Sequence, residues 1–256
     1  TAKSQRVSLP RLLDSVLRLL YLLSSCRRSA SSVGALVLDF AEAFWQIPIS
    51  PSEQRFFCAT AVLNGKRQYL TFLRAAQGSR TAPLLWARLA ALVMRLTQSL
   101  FTTEEVNLLC FVDDPLAAIL GTAMERNVRA ATIILVWEAL DFKLAYHKGQ
   151  LGQAVTWIGG MLSVESTGVR ATVKESIVSD IRSDLVKYLQ CNVISRKDLH
   201  SLVGKLGHAA GLLLTMRPFL QPLWAALYAT DNTGAPPGTV WLKQDLSSLT
   251  WFQAFF

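Results

Sequence analysis

Cysteine is scarce in this chain of 256 residues, and Cys26, Cys58, Cys110 and Cys191 form no C-x-x-C pair. Histidine is scarcer still: His147, His200 and His208 show no zinc-finger spacing. A disulfide framework and a zinc site are therefore both poorly supported, and a reducing compartment follows. Long hydrophobic runs are missing too, since none reaches the roughly 18 residues that cross a bilayer. The leucine-rich stretch 9–23 is broken by Arg11, Asp14 and Arg18, and no small-residue cleavage site follows it. It reads as neither a signal peptide nor a membrane span, so the expected location is cytoplasmic or nuclear. Charge is sparse, 17% against 51% hydrophobic residues, which excludes a disordered chain. Internal repeats and low-complexity tracts are absent.

What is present is length enough for one large or two modest domains, and an uneven distribution of charge. The net charge is +8, from 26 basic and 18 acidic residues. Residues 1–38 carry a net +5 and residues 166–228 a net +4, while 39–165 are neutral with 11 charges of each sign. Two basic lobes around a neutral middle suit a protein that grips a polyanion from both sides.

Periodicity predicts a helix over 9–23, a polar loop over 24–32 and a buried strand from Val33 to Phe40. Ser50-Pro51-Ser52-Glu53 resembles a capping box with proline at the first helical position, predicting a short helix. Asn64-Gly65 between Phe56–Leu63 and Gln68–Leu73 is a strong hairpin signal. A helix beginning at Thr81-Ala82-Pro83 is expected to bury Leu85, Leu89, Leu92, Val93 and Leu96 as one stripe. Asn107–Val112 and Pro115–Leu120 read as a hairpin with Asp113-Asp114 at its tip. Residues 123–140 read as helix, and Val155–Leu162 and Val169–Val173 as strands. Beyond Lys174 the pattern is helical, with Ser195 as a cap and Arg217-Pro218 opening another helix. Residues 231–238 (D-N-T-G-A-P-P-G) read as a linker.

Asp39 and the pair Asp113-Asp114 stand in strongly apolar surroundings, where an acid is costly unless it binds a cation. Two-metal phosphoryl transfer requires carboxylates that hold two divalent ions about 3.5–4 Å apart. One carboxylate at the end of a buried strand and two on an adjacent hairpin would form such a cage, and magnesium prefers oxygen donors of this kind. An isolated Asp-Asp pair also marks many plain turns.

The flanking sequence resembles that of reverse transcriptases, in motifs that follow one another in the family's order over about residues 33–228. Val37–Ile49 (V-L-D-F-A-E-A-F-W-Q-I-P-I) resembles the first palm motif, Leu73–Pro83 (L-R-A-A-Q-G-S-R-T-A-P) the second and Cys110–Asp114 (C-F-V-D-D) the third. Phe142–Gln150 (F-K-L-A-Y-H-K-G-Q) is similar to the fourth and Thr156–Leu162 (T-W-I-G-G-M-L) to the fifth, the primer grip. Residues 197–227 resemble the helical thumb of DIRS-like and gypsy-like retrotransposon polymerases.

The resemblance implies an α+β right-hand polymerase fold. Fingers would occupy 1–33 and 51–78, the palm 34–50 and 79–165, the helical thumb 166–228, and a linker or connection segment 229–256. It implies Asp39, Asp113 and Asp114 as ligands of two Mg2+ ions (Mn2+ being an alternative), with Lys148 assisting the leaving pyrophosphate. Phe40, Phe44, Gln77 and Gly78 would line the incoming deoxynucleotide, Phe44 as a wall against a ribose 2′-hydroxyl. Gly78 would let the backbone approach closely, and the Gln77 amide could hydrogen-bond. Trp157, Ile158, Gly159 and Gly160 would form the primer grip. Arg27, Arg28, Arg170, Lys174, Lys205 and Arg217 are candidates for phosphate contacts. The implied partners are an RNA or DNA template with its primer, dNTPs, and an adjacent ribonuclease H or other polyprotein domain, with no membrane. Pro115 departs from the family's usual pattern, since it removes a backbone donor next to the aspartates. Residues 240–256 resemble the connection before a ribonuclease H domain, as in a piece of a longer polyprotein. Two alternatives stay open: a catalytically inactive or domesticated nucleic-acid-binding relative, and an RNA polymerase of the same fold.

Overall fold

The computed structural model describes residues 8–26, 31–229, 234–243 and 245–256. It divides into two compact units. The first comprises residues 1–10, 14–158 and 163–169, the second residues 11–13, 159–162 and 170–256. Arg27 and Arg28, and the start of the expected linker, lie outside the described residues.

The first unit is organised on a four-stranded antiparallel sheet. Its strands are β1 (Ser32–Val37), β4 (Val106–Phe111), β5 (Asp114–Gly121) and β6 (Gln150–Gly152), in the order β4-β5-β1-β6. Residues 33–37 of β1 are all buried, which explains why the strand reads as a continuous apolar run and not as an alternation. Helices α2 (Ala82–Gln98) and α3 (Ala123–Ala139) pack on β4 and β5 respectively. Thr122 and Glu125 close a reciprocal capping box at the start of α3: Thr122 Oγ1 accepts from the Glu125 N–H and Glu125 accepts from the Thr122 N–H. Leu36, Leu38, Phe40, Trp86, Val93, Ile119, Ile133 and Trp137 form the core between sheet and helices.

The expected stripe on α2 is displaced. Its buried face is Trp86, Ala90, Val93, Met94 and Thr97, whereas Leu85, Leu92 and Leu96 are exposed. Leucine spacing alone favoured the wrong face. The tertiary contacts choose the one carrying Trp86, whose N–H has a backbone partner waiting for it. A second correction concerns residues 50–53: the expected capping box does not form. Ser50 Oγ meets Ser52 Oγ at 3.0 Å, the Ser50 carbonyl takes the Glu53 N–H, and only a 3-10 turn (Gln54–Phe56) follows.

The Asn64-Gly65 hairpin forms as expected, joining β2 (Cys58–Leu63) to β3 (Lys66–Thr71). Asn64 and Gly65 have φ of 51° and 72°, the paired positive values of a type I′ turn. Both strands are almost wholly exposed.

The stretch expected as one strand from Val155 to Leu162 is two. β7 (Ala154–Trp157) turns through Ile158 (φ 39°) and Gly159 (φ 77°) into β8 (Gly160–Glu165), with β9 (Gly168–Val173) beyond it. Two consecutive positive φ values again describe a tight hairpin turn.

In the second unit, α4 (Glu175–Leu189), α5 (Arg196–Ala209), α6 (Arg217–Tyr228) and α7 (Leu246–Phe255) share one core. Ser195 caps α5 by accepting the Asp198 N–H at 3.0 Å. Leu199, Leu202, Val203 and Leu206 face inward from α5. The segment expected as a connection is not peripheral: β11 (Thr239–Trp241) pairs with β10 (Val193–Ser195), and Val240, Leu242, Leu249 and Phe252 are buried in this core. Its aromatics Trp251, Phe252 and Phe256 pack into the core of the helical unit. Among the described residues no helix is long and apolar enough to cross a membrane.

Candidate active site

The acidic residues meet at one end of the four-stranded sheet. Phe111 pairs with Asp114, so the turn between β4 and β5 is only Val112-Asp113. Beyond β1 the chain keeps its register beside this turn. The Leu38 N–H donates to the Pro115 carbonyl at 3.2 Å and the Phe40 N–H to the Asp113 carbonyl at 2.9 Å. Asp39 lies between them, and its own carbonyl receives the Ala145 N–H at 2.8 Å. Residues separated by about seventy positions are thus brought together by strand pairing alone. Pro115 is tolerated because its carbonyl, not the missing N–H, makes the bond to Leu38.

Val112 has φ of 56°. A β-branched residue there is strained, at a cost of order 1–3 kcal/mol, and persists only where its surroundings hold it. They do so visibly: the Trp86 indole N–H donates to the Val112 carbonyl at 2.7 Å, and Cys110 Sγ lies 3.3 Å from the same oxygen.

Asp39 is buried, and Asp113 and Asp114 are half-buried. Burial pushes the Asp114 carboxyl up to about 6, with repulsion from Asp113 and Asp39 adding to it. Asp113 is raised by burial in the same way, with Asp39 contributing. The Cys110 thiol is pushed up to about 12, first by burial and then by both aspartates, so it is no nucleophile. Lys148 stands against this acidic cluster, its Nζ donating to Asp39 Oδ2. That bond raises the lysine above its ordinary range and keeps it charged.

Three repelling carboxylates offer hard oxygen donors and a demand for positive charge, the chemistry suited to Mg2+. With Asp39 engaged by Lys148, no three Asp, Glu, His or Cys side chains among the described residues stand as a complete ligand set. The donor chemistry fits a divalent ion, while the side-chain spacing is not that of a closed metal cage, and Lys148 is paired with Asp39.

The other expected residues divide. Phe44 is half-buried against the core, on a 3-10 turn (Ala43–Gln46) entered through Glu42 at φ 51°. Gln77 and Gly78 are exposed in a turn closed by the Ser79 N–H on the Ala76 carbonyl at 3.1 Å, where Gly78 has φ of 90°. Such a φ at the third position of a turn is what requires glycine. Phe40 departs from expectation. Its side chain is only 1% exposed, among the rings of Trp86, Trp137 and Phe142, so it is core and presents no ring to a nucleotide.

Trp157 is equally buried, and its indole N–H donates to the Asp114 carbonyl at 3.0 Å. Ile158 and Gly159 make the turn, and a Cβ on Gly159 would meet His208 Nε2 at 2.4 Å. A Cβ on Gly160 would collide with the buried side chain of Leu12. Lys205, expected at phosphate, is engaged by Asp184 at 2.9 Å and Asp180 at 3.7 Å on α4. Lys174 and Arg217 are exposed.

Two glutamines that lie within the quoted motifs, but were given no role there, hold the loops around the site together. The Gln46 amide donates to the Ala41 carbonyl at 2.6 Å and the Lys143 carbonyl at 3.1 Å, and accepts the Lys143 N–H at 2.9 Å. Gln150 brackets Thr156, accepting its N–H at 2.7 Å and donating to its carbonyl at 3.0 Å. Trp86 was missed for another reason: leucine spacing placed it off the buried face.

A buried strand and a two-residue hairpin deliver three aspartates to one sheet end. The family profile for reverse transcriptase (RNA-dependent DNA polymerase) matches residues 4–162, and the chain belongs to that family. No curated protein matches it. Among solved structures it resembles the foamy viral protease-reverse transcriptase dRH in complex with double-stranded DNA, at 16% identity and a TM-score of 0.56, over 92% of this chain and 36% of that one. It also resembles the foamy viral protease-reverse transcriptase in complex with an RNA/DNA hybrid, at 18% identity and 0.57, over 92% and 28% respectively. The likeness is one of fold, and the chain spans about a third of the length of those proteins.

Proposed function

We propose that this chain is the polymerase part of a retroelement reverse transcriptase of the DIRS-like or gypsy-like kind, extending a primer 3′-hydroxyl with deoxynucleotides along an RNA or DNA template. The observation that carries this reading is the convergence of Asp39, Asp113 and Asp114 beside Lys148, in a chain of the reverse transcriptase family.

Asp39, Asp113 and Asp114 would hold two Mg2+ ions, which when bound activate the attacking hydroxyl and stabilise the leaving pyrophosphate. Lys148, charged and exposed, can turn from Asp39 to the departing phosphates, neutralising them or supplying a proton at its Nζ. Phe44 sets an apolar limit beneath the sugar, which leaves a 2′-hydroxyl without a hydrogen-bond partner. The exposed Gln77-Gly78 turn offers an amide and an open backbone to the nucleotide. The turn Ile158-Gly159-Gly160 serves the primer, with fingers, palm and thumb as the family's motifs place them. The basic lobes hold the duplex through its phosphates, so binding weakens steeply with salt. The likeness of residues 240–256 to the connection before a ribonuclease H domain makes such a domain the first covalent neighbour to look for.

The test is extension of a DNA primer on an RNA template with dNTPs and Mg2+ or Mn2+, with Asp113→Asn alongside. Extension by the wild type alone supports the reading. Salt-dependent binding of primer–template without extension by either protein supports the non-catalytic alternative instead.

A further inference from the structure

Four successive carbonyls cross the tip of the acidic hairpin, and each has an identified donor. Asp113 and Pro115 are served by the N–H groups of Phe40 and Leu38. Carbonyls alternate in direction along a strand, so a single neighbouring strand can reach only every second one. On the side away from β1 stand the carbonyls of Val112, in the turn, and Asp114, which is paired with Phe111 of β4, and each of these receives a side chain: the indole N–H of Trp86 at 2.7 Å and that of Trp157 at 3.0 Å.

Both indoles are buried, with exposures of 0% and 1%. A buried indole generally finds some acceptor, and the core offers a comparison. Trp137, equally buried, donates to Thr97 Oγ1 at 2.8 Å, away from the hairpin. The other two come from separate elements, Trp86 from the first turns of α2 and Trp157 from the end of β7, and bracket the same aspartate. They bracket it where the backbone is least able to hold itself, at Val112 with its positive φ. The peptide between Val112 and Asp113 sets φ of Asp113, so its rotation would swing the Asp113 side chain away. The Trp86 bond opposes this rotation directly. Trp157 fixes the peptide on the far side of Asp114, ahead of a proline that has no N–H to offer.

We propose that Trp86 and Trp157 are positioning residues: their paired indole N–H groups lock the peptide planes around Asp113-Asp114 and so aim both carboxylates. The consequence for catalysis rests on the polymerase reading above, while the lock itself does not. Trp157, on this account, serves the acidic hairpin from beneath, and the primer-facing part of its motif is the turn that follows.

Phenylalanine at either position keeps an aromatic ring and removes the donor. Trp86→Phe and Trp157→Phe are compared with Trp137→Phe, which loses a buried indole bond of the same kind elsewhere. Mn2+ binding, followed by electron paramagnetic resonance, is expected to weaken about tenfold in the two hairpin variants and to stay unchanged in the control. Primer extension should lose roughly tenfold to a hundredfold in kcat with KM for primer–template unchanged, while melting falls no further than in the control. Equal Mn2+ affinity in all three variants overturns the proposal, as does a loss that merely follows melting temperature. Should a variant not fold, hydrogen exchange of the wild-type indole N–H groups decides. Protection of Trp86 and Trp157 sustains the lock, and rapid exchange of both overturns it. A wild type that extends no primer sinks the polymerase reading alone. The lock is then judged by the same exchange and by displacement of the Asp113 and Asp114 amide resonances in the phenylalanine variants.

Discussion

Lys148 Nζ is bonded to Asp39 Oδ2, joining residues 109 apart in sequence across the end of the sheet. On the proposed function the same carboxylate would hold a divalent ion, so lysine and metal would compete for it. Lys148→Met is therefore expected to act in opposite directions on two measurements. Mn2+ binding should tighten a few-fold, because the competitor is gone, while kcat for extension should fall about a hundredfold with the loss of charge at the leaving phosphates. Unchanged Mn2+ affinity would show that the ion pair does not compete with the metal.

Phe44 packs half-buried against the core while keeping part of its ring accessible. Phe44→Val opens space there without adding a polar group. Ribonucleotide incorporation should rise at least about tenfold relative to deoxynucleotide incorporation. Competition between rUTP and dTTP on one template measures the ratio, and an unaltered ratio would remove Phe44 from sugar selection.

Asp245 is buried at 3% exposure, and its Oδ2 has no hydrogen-bond partner among the described residues. Burial raises its carboxyl from 3.8 to about 6. A raised acid binds its proton more tightly folded than unfolded. Its contribution to stability is therefore fullest below about pH 4 and is lost as pH rises through 6. Asp245→Asn should stabilise the protein by about 2 kcal/mol at pH 7.5 and by little at pH 4. Urea unfolding of both proteins at the two pH values reads the gap, and a gap independent of pH would contradict the assignment.

On α2 the neighbours Leu92 and Val93 separate the two faces of the helix. Val93 is 2% exposed and Leu92 46%. Leu92→Gln should change stability by less than about 0.5 kcal/mol, and Val93→Ala should cost about 2 kcal/mol. Denaturant midpoints of the two variants check this, and the reverse order would restore the leucine stripe as the core face.

These contrasts mark how far the sequence reaches. Asn64-Gly65, Ser195 and the apolar run of β1 were legible because each depends on neighbours close along the chain. Hydrogen bonds and backbone angles within four residues leave a local signature. The three aspartates were legible for a different reason, since apolar surroundings make an acid conspicuous and the family's motifs follow in order around them. Nothing local said that α2 would turn Trp86 inward instead of its leucines. Nor did it say that Phe40 would be core, or that residues 239–256 would complete the helical unit. Each of those outcomes is a choice among faces of similar hydrophobicity, settled by which one finds volume and hydrogen-bond partners on distant elements. The chain alone singled out the three carboxylates that the structure brings to one end of the sheet. Only the folded structure decided how they are held, because the groups that hold them, Trp86, Trp157, Gln46 and Lys148, act on residues remote in sequence, and packing is what brings such groups within hydrogen-bonding reach.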